Sequence, residues 1–194
     1  MKKSIGLFFG TFNPIHLGHL AIANHIAEFG PVDEVWMVVT PHNPHKKKKT
    51  LLPDYDRLEM VELATANYDK IKPSAIEFGL PQPNYTINTL VHLEEKHEHY
   101  DFHLIMGEDN LQSFPKWKNS EVILERFNIL VYPRIYDLKK EAKLKDHPKV
   151  TFIKAPIMEI SSTFIRQCLK EEKEIRPLLA PEVFNYIDKL GLYQ

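Results

Sequence analysis

The stretch Gly10-Thr11-Phe12-Asn13-Pro14-Ile15-His16-Leu17-Gly18-His19-Leu20 decides the reading of this chain. Before it runs Ile5-Gly6-Leu7-Phe8-Phe9, a short apolar run of the kind that makes a buried strand. After it, Leu20-Ala21-Ile22-Ala23-Asn24-His25-Ile26-Ala27 has helical spacing and good helix formers. A strand, a tight turn carrying Gly10 and Asn13-Pro14, and a helix start form an anion site in that order. The free N–H groups of the first helical turn and the positive end of its dipole face whatever sits above the strand. His16 and His19 are three apart, so both rings share one helical face. Gly18 between them has no Cβ and lets a ligand approach the backbone closely. The plainer reading of His-x-x-His is a capping turn with two surface histidines.

The totals bound the rest. At 194 residues, with 43% apolar and 26% charged side chains, the chain fits one soluble domain, 1–194, with a substantial core. A net charge of −1 gives no basic field for nucleic acid. The single Cys168 excludes an internal disulfide or a cysteine metal cluster, and its neighbours read as a buried helix face. Met1-Lys2-Lys3-Ser4 leads straight into a strand without a signal-type apolar segment, and no run reaches membrane-spanning length, so a cytoplasmic location is expected.

Residues 33–40 read as a second buried strand, followed by Pro41-His42-Asn43-Pro44-His45 and four lysines, 46–49. A lysine run is ordinarily a solvated turn. A helix is expected from Pro53-Asp54 to about Tyr68, then a weaker strand over 71–78 whose Pro73 suits a sheet edge. Residues 80–86 form a loop entering another helix. Phe102-His103-Leu104-Ile105-Met106 is a fourth strand, leaving through Gly107-Glu108-Asp109, where Asp109 can accept from a ribose hydroxyl. Trp117, between two lysines and after Pro115, suits a surface platform for a flat ring. Residues 127–132 and 150–153 complete six strands, with a charged surface excursion over about 134–148 between them. Ile160-Ser161-Ser162-Thr163 precedes a helix carrying Arg166: one hydroxyl caps it, the others can reach an anion, and the arginine fork can hold phosphate oxygens. A last helix follows Pro181. Strands alternating with helices imply a Rossmann-like, doubly wound parallel sheet with a small C-terminal helical extension.

These segments resemble a known family in sequence and in order. Gly-Thr-Phe-Asn-Pro-x-His-x-Gly-His is similar to the signature of the adenylyl- and cytidylyltransferase superfamily, and Ile-Ser-Ser-Thr-x-Ile-Arg to its second signature. Pro44-His45-Lys46, Asn84-Tyr85-Thr86 and the Gly107, Asp109, Phe114, Pro115, Trp117 pattern resemble the bacterial nicotinate-nucleotide adenylyltransferases. Asn84 stands where many members have Ser, and the segment before Pro44 is shorter than in many. The resemblance covers essentially the whole chain. It implies transfer of AMP from ATP to nicotinate mononucleotide, giving deamido-NAD and pyrophosphate. His16, His19 and Arg166 would be catalytic. Gly10, Thr11, Phe12, Gly18, His45, Lys46, Gly107, Asp109, Ile160, Ser161, Ser162 and Thr163 would bind ATP. Asn84, Tyr85, Thr86 and Trp117 would hold the nicotinate nucleotide. Mg²⁺ would be carried mainly by ATP oxygens and water, with no protein ligand. Oligomeric state is left open, a homo-oligomer included.

Rivals share parts of this pattern. Phosphopantetheine adenylyltransferases lack the Tyr-Thr and Pro-x-Trp segments, and cytidylyltransferases differ at the second signature. Nicotinamide mononucleotide is the alternative acceptor within the same superfamily. A nucleotide-binding sensor would keep the fold without turnover. The lack of G-x-G-x-x-G after the first strand argues against a dinucleotide dehydrogenase.

Overall fold

The computed structural model describes residues 2–41, 51–135 and 144–194. Strands β1 (Lys3–Gly10), β2 (Glu34–Val39), β3 (Ile71–Ser74), β4 (Tyr100–Gly107), β5 (Asn128–Tyr132) and β6 (Val150–Phe152) form one sheet in the order β3-β2-β1-β4-β5-β6. Every neighbouring pair is parallel. Helices α1 (Leu17–Phe29), α2 (Asp54–Thr65), α3 (Thr86–Lys96), α4 (Glu108–Ser113), α5 (Ser120–Arg126), α6 (Ser162–Lys170) and α7 (Pro181–Leu190) complete the doubly wound α/β fold.

Period-2 alternation divides the strands between two cores. Phe8, Val35, Met37, Val39, Ile105 and Leu130 face the layer of α1, α2, α6 and α7. Ile5, Leu7, Val38, Leu104, Met106 and Val131 face the layer of α3, α4 and α5. The C-terminal helices therefore belong to the first layer, and Tyr186 on α7 donates to Asp56 Oδ1 of α2 at 3.0 Å.

The order runs outward from β1 to β3 and restarts at β4, so it reverses between β1 and β4. Ligands bind above the carboxyl ends of strands at such a reversal. There the exits are Gly10 and Gly107.

The structure departs from the sequence reading at three elements. β3 lies at the sheet edge as Pro73 indicates, but it stops at Ser74, and Ile76–Gly79 form a 3₁₀ turn. Glu77 within that turn is buried and accepts a 2.6 Å hydrogen bond from Thr89, which pulls the chain off the strand path. α2 ends at Thr65 rather than near Tyr68. α5 has seven residues, too short to show a helical period, and starts after Asn119 in the left-handed region at φ 52°.

Candidate active site

β1 delivers the first signature to the head of the sheet. Phe12 sits at φ 43°, an unusual conformation for a bulky side chain and one that clusters at functional loops. Its ring folds back over the strand exit, where a Cβ on Gly10 would approach it to 2.7 Å. Gly10 is thus required for the turn to close on itself.

His16 occupies the N-cap of α1, and its backbone N–H donates to His19 Nδ1 at 3.3 Å. The two imidazoles stack, with centroids 3.7 Å apart and planes 22° from parallel. Phe12 meets His19 edge-on at 5.1 Å. Burial, then the positive charge of Arg134, pushes the His16 pKa down from 6.5 to about 4. His16 is therefore neutral at pH 7 and offers a directed ring nitrogen rather than a charge.

The second signature lies against the first. Ser161 caps α6, its Oγ accepting from Phe164 N–H at 3.2 Å. Ser162 Oγ donates to the Pro14 carbonyl at 2.9 Å, and Arg166 Nη1 donates to the Asn13 carbonyl at 2.7 Å. Arg166 Nη2 reaches Thr163 Oγ1 at 3.3 Å. A Cβ on Gly18 would lie 3.5 Å from Cβ of Ile160. Ser162 thus differs from the sequence expectation of an anion contact: it ties the two signatures together. Arg166 likewise braces the first loop, and it also lines a cleft of about 540 Å³ with Leu52, Lys170 and Tyr193.

At the exit of β4, a Cβ on Gly107 would meet Asp109 Oδ1 at 2.4 Å and Arg134 Cγ at 3.1 Å. Asp109 folds back over Gly107, with Arg134 Nε 3.8 Å from its carboxylate. Tyr132 sits below, its phenol pushed up to about 12 chiefly by burial, so it stays protonated.

The third region forms at the start of α3. Tyr85 is its N-cap and Thr86 its first residue. Lys118 Nζ lies 4.3 Å from the centre of the Tyr85 ring. Trp117 is half-buried, its ring tilted on Phe114 at 5.5 Å; the Lys118 contact places its segment beside that of Tyr85. Asn84 differs from the expectation. It is 6% exposed, and its Nδ2 donates to the Glu77 carbonyl at 3.1 Å, so it fastens the loop from inside instead of lining it.

Two arginines escaped the sequence reading. Arg57 is wholly buried, with Nη1 on the Thr11 carbonyl at 2.7 Å and on the Thr40 carbonyl at 2.9 Å. Its signal was present: Arg57 shares an i, i+3, i+4, i+7 stripe with Met60, Val61 and Ala64. Arg134 was hidden in a segment without periodicity. His45 and Lys46 lie outside the described residues.

Among the described residues no cluster of three His, Cys, Asp or Glu side chains could hold a metal ion. The imidazole and guanidinium groups gathered here suit phosphate oxygens, whereas magnesium requires oxygen ligands. A resident magnesium cage does not fit these residues. Among them also, no helix is long and apolar enough to cross a membrane.

A doubly wound sheet whose reversal point carries a histidine pair, closed by a serine-capped helix, defines a nucleotidyltransferase. Residues 7–168 match the cytidylyltransferase-like family, and the chain belongs to it. Within it, the chain falls among the nicotinate-nucleotide adenylyltransferases. It is 61% identical to a probable nicotinate-nucleotide adenylyltransferase of Christiangramia forsetii, covering 100% of both chains. It is 63% identical to one of Flavobacterium johnsoniae, covering 98% of each. The nicotinic acid mononucleotide adenylyltransferase of Plasmodium falciparum, solved with NaAD, shares the fold at a TM-score of 0.82. That alignment has 24% identity and covers 98% of this chain and 97% of the other.

Proposed function

We propose that this protein transfers the adenylyl group of ATP to the phosphate of nicotinate mononucleotide, as one domain spanning 1–194 and acting in the cytoplasm. An acceptor phosphate oxygen attacks the α-phosphorus, the bond from that phosphorus to the bridging oxygen breaks, and pyrophosphate leaves with the electron pair. The nucleophile is ionised at neutral pH, so no general base is needed. Catalysis is positioning and electrostatic stabilisation of the charge that develops on the phosphoryl oxygens.

The observation that carries this reading is the junction of the two signatures. The stacked His16 and His19 rings and the N-terminus of α6 with Arg166 meet around one loop. His16, neutral, donates an N–H to the polyphosphate, while His19 and Arg166 face the α-phosphoryl group and the leaving pyrophosphate. Gly10, Thr11, Phe12, Gly18, Ile160, Ser161 and Thr163 line the triphosphate path, and Gly107 and Asp109 take the adenosine ribose. Magnesium enters as the counter-ion of ATP, bound by phosphate oxygens and water.

Specificity for the acid is supported at α3. Backbone N–H groups at Tyr85 and Thr86 and the dipole of α3 favour an anion, and Lys118 adds a positive charge beside the Tyr85 ring. Trp117 stacks on the pyridine ring and fixes its plane.

The test is pyrophosphate release from ATP with nicotinate mononucleotide, nicotinamide mononucleotide and phosphopantetheine as separate acceptors, with the products identified by mass. Deamido-NAD as the dominant product supports the proposal. Release with phosphopantetheine alone, or ATP binding without release, overturns it.

A further inference from the structure

Arg57 is an arginine with no exposed surface, and burial depresses its pKa while Asp54 works the other way. Its Nη2 lies 2.5 Å from Asp54 Oδ1, and that carboxylate is part-exposed. The remaining bonds go to backbone carbonyls from separate segments. Nε donates to Leu52 at 3.1 Å, Nη1 to Thr11 and Thr40 at 2.7 and 2.9 Å, and Nη2 to Pro41 at 3.5 Å. One guanidinium therefore joins the turn after β1, the exit of β2 and the entry to α2.

The Thr11 bond belongs to a wider pattern. The Gly10 carbonyl accepts from Thr40 N–H at 2.9 Å, the Asn13 carbonyl from Arg166, and the Pro14 carbonyl from Ser162. Carbonyl oxygens repel an anion, and the loop that must face a polyphosphate has these four bound away by donors. In a trans peptide the C=O and the following N–H point in opposite directions. Holding the Thr11 oxygen on Arg57 consequently turns the Phe12 N–H away from the guanidinium.

We propose that Arg57 is a positioning residue for ATP: without touching substrate, it sets the polarity of the first signature loop by capturing the Thr11 carbonyl and locking it to the β2 exit. This inference rests on the adenylyltransferase reading above, but its binding test needs ATP alone.

The experiment compares R57Q, R57K and D54N with wild type. The readouts are the melting temperature, calorimetric Kd for ATP, and kcat and KM for each substrate, all in the folded temperature range. R57Q is expected to raise the ATP Kd about tenfold and to lower kcat/KM for ATP about 10- to 100-fold, the scale of an ångström-level misplacement. KM for nicotinate mononucleotide should move by no more than about twofold, because that pocket lies at α3, outside the arginine's contacts. R57K should recover much of the melting temperature but little of kcat/KM for ATP, since an ammonium lacks the fork that spans the segments. D54N leaves the carbonyl bonds in place and should cost about threefold in kcat/KM for ATP, a readout that holds if both Arg57 variants fail to fold. A folded Arg57 variant with ATP Kd and kcat/KM within twofold of wild type overturns the proposal. So does an equal loss in both substrates, or, if only D54N folds, an unchanged kcat/KM for ATP. If the wild type binds ATP but releases no pyrophosphate with any acceptor, the functional reading fails, while the Kd comparison still decides the role of Arg57.

Discussion

Replacing Gly18 by Ala tests whether the position of the His16 ring, rather than its mere presence, sets the rate. The new Cβ would stand 3.1 Å from His16 Nδ1 and 3.2 Å from Cε1, close enough that the ring must give by a few tenths of an ångström. The ring cannot retreat towards His19, which is already stacked on it at 3.7 Å. Gly18 is the second residue of α1, so the preference of alanine over glycine, about 0.5–1 kcal/mol in a helix interior, offsets only part of the crowding. A net stability change within about 1 kcal/mol corresponds to roughly 2–4 °C in Tm for a chain of this size. A full ångström of misplacement costs ~10²-fold, so a shift of this size should lower kcat/KM for ATP by about 5- to 20-fold. Pyrophosphate release gives the rates and thermal unfolding by circular dichroism gives Tm. Wild-type kcat/KM in G18A would refute the link between ring position and rate. A Tm loss above about 10 °C would show that the site cannot absorb the methyl group at all.

The remaining predictions address the other groups. R166K keeps the charge but loses the fork that reaches Asn13 and Thr163, so kcat/KM for ATP should fall about tenfold or more with little change in Tm; parity with wild type would make Arg166 dispensable. His16 is held neutral in the fold, so the unfolded chain binds more protons between pH 6.5 and about 4 and stability rises with pH across that window. Wild type should lose about 2 kcal/mol at pH 5 and ~3 kcal/mol at pH 4 relative to H16Q, read by urea unfolding, and parallel pH profiles would contradict this burial. W117A should impair both pyridine mononucleotides by about 2- to 13-fold in kcat/KM, since stacking does not depend on the ring substituent; a loss confined to one acceptor would remove Trp117 from the stacking role.

Local pattern carried the sequence reading far. The apolar run before Gly10, the helical spacing after His19 and the serine cap before Arg166 are short-range signals, and each became the element it indicated. The alternation of strands and helices gave the parallel sheet because crossovers of one hand leave few alternatives. What stayed hidden depends on contacts distant in sequence. Ser162 reads as a free hydroxyl beside a helix start, yet its partner is Pro14, 148 residues upstream. Asn84 reads as a loop side chain facing ligand, yet the turn at Glu77 draws it inward. Arg57 reaches Thr11 across 46 residues, and no local rule ties a helix arginine to a carbonyl there. Arg134 follows β5 in a stretch without period, and only the sheet order brings it beside Asp109 and His16.

The most direct test of the account is the ratio of kcat/KM for nicotinate mononucleotide to that for nicotinamide mononucleotide, measured with saturating ATP and magnesium. The amide would aim its NH₂ group at donors around Tyr85 and Thr86 and at the Lys118 ammonium, leaving polar groups unpaired. Each such mismatch costs about 1–3 kcal/mol, or roughly 5- to 150-fold. The account predicts at least a tenfold preference for the acid; equal use of both acceptors, or preference for the amide, would contradict it.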